Sequence, residues 1–224
     1  MPDGRNGQRK DDIHMHDFVY ADKSRTEQVK RDIEAIIRQV QAELKDDVPF
    51  EYRFIGSALR DMITYDRKSN VGFDFDVNLD VTSCSQKYSP KELKLRLMNA
   101  FDRVATRYGY KNCEDSTRVF TIKKVDRAHS LIEHSCDIAV VVRKDGAEKY
   151  IRHNKKQEAY VWATQPAGYK LETKEKWLKE NGRWNEVRNM YIKAKNMNDH
   201  PDVHSRSIYA DTVHKAYVKF GKGK

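Results

Sequence analysis

Two short stretches carry the residue types that could do chemistry: Phe54-Ile55-Gly56-Ser57 and Phe73-Asp74-Phe75-Asp76-Val77. The first reads as a buried strand that breaks at a Gly-Ser turn and enters a short helix, Ala58-Leu59-Arg60-Asp61-Met62-Ile63. At such a turn Gly56 would let the backbone approach a phosphate. Ser57 would offer a hydroxyl and an amide at a helix start, where unpaired N–H groups favour an anion. The second stretch is a strand with two carboxylates on one face. Residues two apart in a strand point the same way, with Cα atoms about 6.5–7 Å apart. Asp74 and Asp76 can therefore share one divalent metal or two neighbouring ones, and an all-oxygen donor set suits Mg²⁺ or Mn²⁺ rather than zinc. A phosphate cradle beside metal-binding carboxylates is the equipment for transferring a nucleotidyl group from a triphosphate.

Asp137 is the third candidate. It lies in Glu133-His134-Ser135-Cys136-Asp137-Ile138, which becomes steadily more apolar, and a charge there is costly unless paired or metal-bound. If this strand lies beside Asp74–Val81, Asp137 joins the pair from about 4.8 Å away. It would then bridge toward the metal nearest the acceptor and help take the acceptor's proton. Arg60, one turn after Ser57, is placed either to touch phosphate or on the surface. Lys123, Lys124, Lys193 and Lys195 are further γ-phosphate candidates, among which the sequence does not choose. Trp162, Tyr169, Trp177 and Trp184 could stack on a base, although packing is their ordinary use. His14-Met15-His16 and His200-x3-His204 have ligand-like spacing, but no Cys or acidic set completes a zinc site.

The elements that must position these residues follow from periodicity. A helix is predicted from Ser24, with Ser24 and Glu27 at capping-box spacing and Val29, Ile33, Ile36, Ile37, Val40 and Leu44 recurring at helical intervals. Phe50, Tyr52 and Phe54 alternate as a strand. From Phe73 to Val81, apolar residues share one face while Asp74, Asp76, Asn78 and Asp80 share the other. Ser89-Pro90-Lys91-Glu92 opens a helix carrying Leu93, Leu97, Phe101, Val104 and Ala105, which ends at Gly109. Strands are expected at 117–123 and 131–142, the second long and apolar enough to be central. Helices follow around 173–181, 184–197 and 205–220. These readings divide the chain into a polar arm (1–22), an α/β catalytic domain (23–145) and a basic, mostly helical C-terminal region (146–224). Together they make an α+β fold: a mixed sheet with flanking helices, then a helical part.

With 224 residues the chain is long enough to bury a core. Its mean hydropathy of −0.89 excludes a membrane helix of roughly 20 apolar residues. The N-terminus has no apolar segment of the secretory kind, and Cys84, Cys113 and Cys136 are an odd, scattered set, so a cytoplasmic protein with reduced thiols is expected. Residues 1–142 hold 24 basic and 24 acidic residues, whereas residues 143–224 hold 19 and 10, which is the whole net charge of +9. The basic half is suited to an anionic partner.

The order Gly-Ser, Asp-x-Asp with apolar neighbours, then a lone Asp on a later strand resembles the polymerase-β-like nucleotidyltransferases. The resemblance covers about residues 24–145, and more weakly the helical remainder, which is similar to the helical domain many members close over nucleotide. It implies that Gly56 and Ser57 hold the triphosphate, that Asp74 and Asp76 hold both metals, and that Asp137 completes the site. It also implies an NTP substrate, release of pyrophosphate, and an acceptor left open: an RNA end, a second nucleotide, a small molecule or a protein. The sixteen residues between Ser57 and Asp74 exceed the gap of the smallest members, and the excess is assigned to a loop, Tyr65–Gly72, able to overhang the site. The rival reading is an inactive nucleotide- or RNA-binding module of the same fold. Three retained carboxylates oppose it, because a binder of anions gains nothing from clustered Asp.

Overall fold

The computed structural model describes residues 16–144, 146–165, 169–200 and 202–221. In chain order its elements are β1 (Phe18–Tyr20), α1 (Lys23–Leu44), β2 (Glu51–Ile55), α2 (Gly56–Leu59), β3 (Thr64–Asp66), β4 (Val71–Asp80), α3 (Pro90–Ala105), β5 (Glu114–Asp115), β6 (Phe120–Asp126), β7 (Leu131–Lys144), β8 (Ala147–Asn154), β9 (Ala159–Thr164), α4 (Glu172–Glu180), α5 (Trp184–Asn196) and α6 (Ser205–Gly221). Two compact units result: Val19–Tyr169, and the described residues of Met1–Phe18 with Lys170–Lys224.

The larger unit is a seven-stranded mixed sheet with the order β2-β4-β7-β6-β5, extended by β8 on β7 and β9 on β8. β4 and β7 run parallel, so the chain must cross back over the sheet between them, and α3 lies within that crossover. β7 is the hub. Its first half pairs with β6 and its last four residues with β8. The alternation in β4 works as expected: Phe73, Phe75, Val77 and Leu79 are each at most 1% exposed and enter one core with the apolar stripes of α1 and α3. Each such side chain contributes roughly 1.5–3 kcal/mol of burial, and together they hold β4 in one register. That leaves Asp74, Asp76, Asn78 and Asp80 on the opposite face.

Local signals were mostly read correctly. α3 opens with a complete capping box, in which Ser89 Oγ accepts from Glu92 N and Glu92 accepts from Ser89 N, with Pro90 in the first turn. It closes through a 3₁₀ turn at Gly109, whose φ is +82°. α1, however, is capped by Asp22 and not Ser24: Asp22 Oδ1 accepts from Arg25 N at 3.0 Å, and Ser24 spends its hydroxyl on the same carboxylate. β6 begins at Phe120, three residues late, because Thr117 turns its carbonyl to His153 N (2.8 Å).

Two larger expectations need correction. The α/β unit does not end near 145. Residues 147–164 form β8 and β9 and extend its sheet, so the basic excess counted from 143 is divided between the two units. Nor is Tyr65–Gly72 an overhanging loop. β3 takes Thr64–Asp66, a turn closed by Ser69 N on the Asp66 carbonyl follows, and β4 has begun by Val71. The smaller unit holds α4, α5 and α6. Trp177 packs edge-on to Tyr217, and Tyr191 does the same to Tyr209. Among the described residues no helix is long and apolar enough to cross a membrane.

Candidate active site

Strand register assembles the site. Asp76 is the direct partner of Asp137 across the parallel β4–β7 pair, and Asp74 is the partner of Ser135. On the other side, Asp76 faces Ile55, the last residue of β2, so the Gly-Ser turn begins beside its carboxylate. The contact is close enough that a β-carbon at Gly56 would overlap Asp76 Oδ2 and come within 3.2 Å of its Cγ. Gly56 also has φ +66°, a conformation that glycine adopts without steric cost. The sequence-predicted carboxylates and turn are therefore one constellation.

The helix after the turn is shorter than expected. α2 is a single turn, Gly56–Leu59, and the chain folds back so that Met62 N bonds the Ser57 carbonyl (3.0 Å) and Met62 is buried. One turn carries little dipole, so a phosphate at Gly56 and Ser57 would depend on close backbone approach and the Ser57 hydroxyl, not on a helix field. Arg60 is half-buried, and its positive charge acts on Asp76, holding that carboxyl lower than it would otherwise lie.

Electrostatics mark this face as short of positive charge. Burial, followed by the charges of Asp137 and Asp74, pushes the Asp76 carboxyl from 3.8 up to about 6. Burial likewise raises Asp137. A hydrogen bond from Thr121 and the charge of Lys123 work against that rise, and Asp74 adds to it. Three carboxylates on adjacent strand positions are unfavourable as anions unless a cation joins them. Among the described residues no group of three His, Cys, Asp or Glu side chains stands arranged to hold a metal as it is. Asp74 and Asp137 are turned toward hydroxyls, Asp74 Oδ1 accepting from Ser135 and Asp137 Oδ1 from Thr121 at 2.6 Å. The donor chemistry of Asp74, Asp76 and Asp137 and their mutual repulsion fit a divalent ion, with one oxygen each of Asp74 and Asp137 held by a hydroxyl.

The remaining candidates separate. Lys123 pairs with Glu114 (2.5 Å) within electrostatic reach of Asp137, and Lys124 lies over the Tyr110 ring. Lys195 is buried in the smaller unit with its ammonium 3.8 Å from the Phe18 ring centroid, while Lys193 is exposed there. Trp162 packs against the core, Trp184 lies under Lys179, and Tyr169 is half-exposed. His14 falls outside the described residues. Asp80 is structural: its Oδ1 accepts from Thr82 N (3.0 Å), and its Oδ2 meets Arg143. Ser135 and Thr121 were missed. Alternation from Asp137 would have placed Ser135 on the same face, but Thr121 becomes visible only through the β6–β7 register.

No family model and no curated protein matches this chain. Solved structures do. A Vibrio cholerae DncV cyclic AMP-GMP synthase in complex with the linear intermediate 5′ pppA(3′,5′)pG superposes with a TM-score of 0.51 at 16% identity, covering 75% of this chain and 45% of that one. DncV with GTP and 5MTHFGLU2 gives 0.52 at 15%, covering 84% and 53%. The Elizabethkingia meningoseptica CdnE cyclic dinucleotide synthase with GTP and Apcpp gives 0.50 at 14%, covering 85% and 75%. This chain shares its fold with these solved structures. This chain spans about half the length of the DncV chains it matches.

Proposed function

We propose that this chain is a metal-dependent nucleotidyltransferase that moves a nucleoside monophosphate from an NTP to an acceptor hydroxyl, releasing pyrophosphate. The observation that carries the reading is the strand register: Asp76 beside Asp137, Asp74 two residues along, and Gly56 against Asp76. Asp74, Asp76 and Asp137 would hold Mg²⁺ or Mn²⁺, which when bound neutralises charge developing on the transferred phosphoryl group. Gly56 and Ser57 bind and orient the triphosphate, with Arg60 adding positive charge beside it. Asp137, fixed through Oδ1 by Thr121, keeps Oδ2 to take the acceptor's proton. The mutual repulsion of the carboxylates disfavours the inactive binding module, which would hold an anion better without them.

The acceptor proposed first is the hydroxyl of a second nucleotide. Its support is the likeness in fold to enzymes named as cyclic dinucleotide synthases. RNA ends, small molecules and proteins are the other classes. The test is turnover of α-³²P-labelled NTPs, singly and mixed, with Mg²⁺ or Mn²⁺, with and without RNA. A product that is labelled by wild type and absent with Asp74→Asn supports the reading, and its size names the acceptor class. NTP binding without any product, in every mixture and with either metal, would overturn it.

A further inference from the structure

We infer that Thr121 and Ser135 are positioning residues that aim two of the three carboxylates, an inference that rests on the nucleotidyl-transfer reading above. The two hydroxyls reach their carboxylates by the same device, a direct cross-strand pairing on the open face of the sheet. Thr121 is the antiparallel partner of Asp137 between β6 and β7, and Ser135 is the parallel partner of Asp74 between β7 and β4. Side chains directly opposite one another in a sheet are near neighbours, so neither contact needs a long or flexible reach. Thr121 Oγ1 donates to Asp137 Oδ1 at 2.6 Å, and Ser135 Oγ donates to Asp74 Oδ1. Both hydroxyl residues are buried, Thr121 to 9% and Ser135 to 6% exposure.

Burial is what makes this more than a surface contact. A buried hydroxyl must find an acceptor, and in a sheet the neighbouring backbone carbonyls are already used by the ladder. The carboxylate is the remaining partner, so each bond holds its carboxyl in one orientation. One oxygen of each carboxylate is occupied, which restricts rotation of the whole group. Without that hold, three adjacent anions would splay apart by repulsion. Asp76 has a different support, because it is confined between its neighbours and the Gly56 backbone. The centre is thus held by two hydroxyl donors, from β6 and β7, and one glycine contact at the start of α2.

The test is Mn²⁺ binding by electron paramagnetic resonance, in parallel with NTP turnover, for wild type, Thr121→Val, Thr121→Ser and Ser135→Ala. Valine keeps the shape of threonine without its donor, and serine keeps the donor without the methyl. Losing an outer partner of a metal ligand costs about 10–100-fold in metal affinity or activity. Thr121→Val and Ser135→Ala are therefore expected to weaken Mn²⁺ binding and turnover by about that factor, and Thr121→Ser to retain both. Their melting temperatures in EDTA check that each is folded, and should Thr121→Val fail to fold, Ser135→Ala carries the same test on Asp74. Wild-type Mn²⁺ affinity in both donor-less variants would overturn the positioning role while leaving the transferase reading intact. A wild type that binds no Mn²⁺ and turns over no NTP would overturn the transferase reading and this inference with it.

Discussion

Replacing Asp76 with Asn should abolish activity and yet make the metal-free protein more stable. Asp76 titrates near 6 in the folded chain against 3.8 for an ordinary Asp, because burial and two neighbouring carboxylates oppose its charge. A folded-state value above the unfolded one means that the native state binds the proton more tightly. Stability from this group is therefore present at low pH and lost as pH rises from about 4 through about 6. At about 1.4 kcal/mol per unit, the loss is about 3 kcal/mol by pH 8. The raw pH profile of the wild type would hide it. His134, buried against Phe73 and Tyr110, is lowered from 6.5 to about 4, chiefly by burial, and so gains stability over nearly the same interval by a similar amount. The comparison must be differential. Urea unfolding of wild type and Asp76→Asn, in EDTA from pH 4 to 8, should show the two nearly equal at pH 4, with the variant ahead by up to about 3 kcal/mol at pH 8. Mg²⁺ at pH 8 should restore the wild type and leave the variant almost unchanged. If Asp76→Asn is no more stable than wild type at pH 8, the argument that burial and the neighbouring carboxylates oppose this charge fails.

Three further outcomes follow from the same structure. Gly56→Ala puts a β-carbon into Asp76 Oδ2 at a positive φ, so it should cost about 1–3 kcal/mol in urea unfolding and reduce NTP turnover sharply. On the proposed reading Asp74→Asn and Asp137→Asn each remove a direct metal contact, so turnover measured with labelled NTP should fall by more than the roughly 100-fold expected for an outer partner. Lys94, whose side chain is 1% exposed, meets Asp115 at 2.5 Å; Lys94→Met should cost about 1–3 kcal/mol in thermal or urea unfolding, because it removes the cation from a half-buried carboxylate that keeps only Tyr160 and His153.

How much was legible in the chain varies with the range of the interaction involved. Sequence alone determined the α+β class, the capping box at Ser89 and the faces of β4, and it singled out Gly56, Asp74, Asp76 and Asp137, which the fold brings close together. These depend on period-2 and period-3.6 burial and on contacts within a few residues, which the order of side chains encodes directly. Near-neighbour competition already defeated the prediction at Ser24, where Asp22 takes the cap, and at Ile63, where the buried Met62 ends the helix after one turn. Tertiary structure alone decided that β8 and β9 join the sheet of β4 and β7, that Asp76 stands opposite Asp137, and that Thr121 and Ser135 hold the outer carboxylates. The physical reason is register. A shift of one residue in β6 or β7 would leave every local pattern in the sequence unchanged while sending Thr121 or Asp137 to the other face of the sheet.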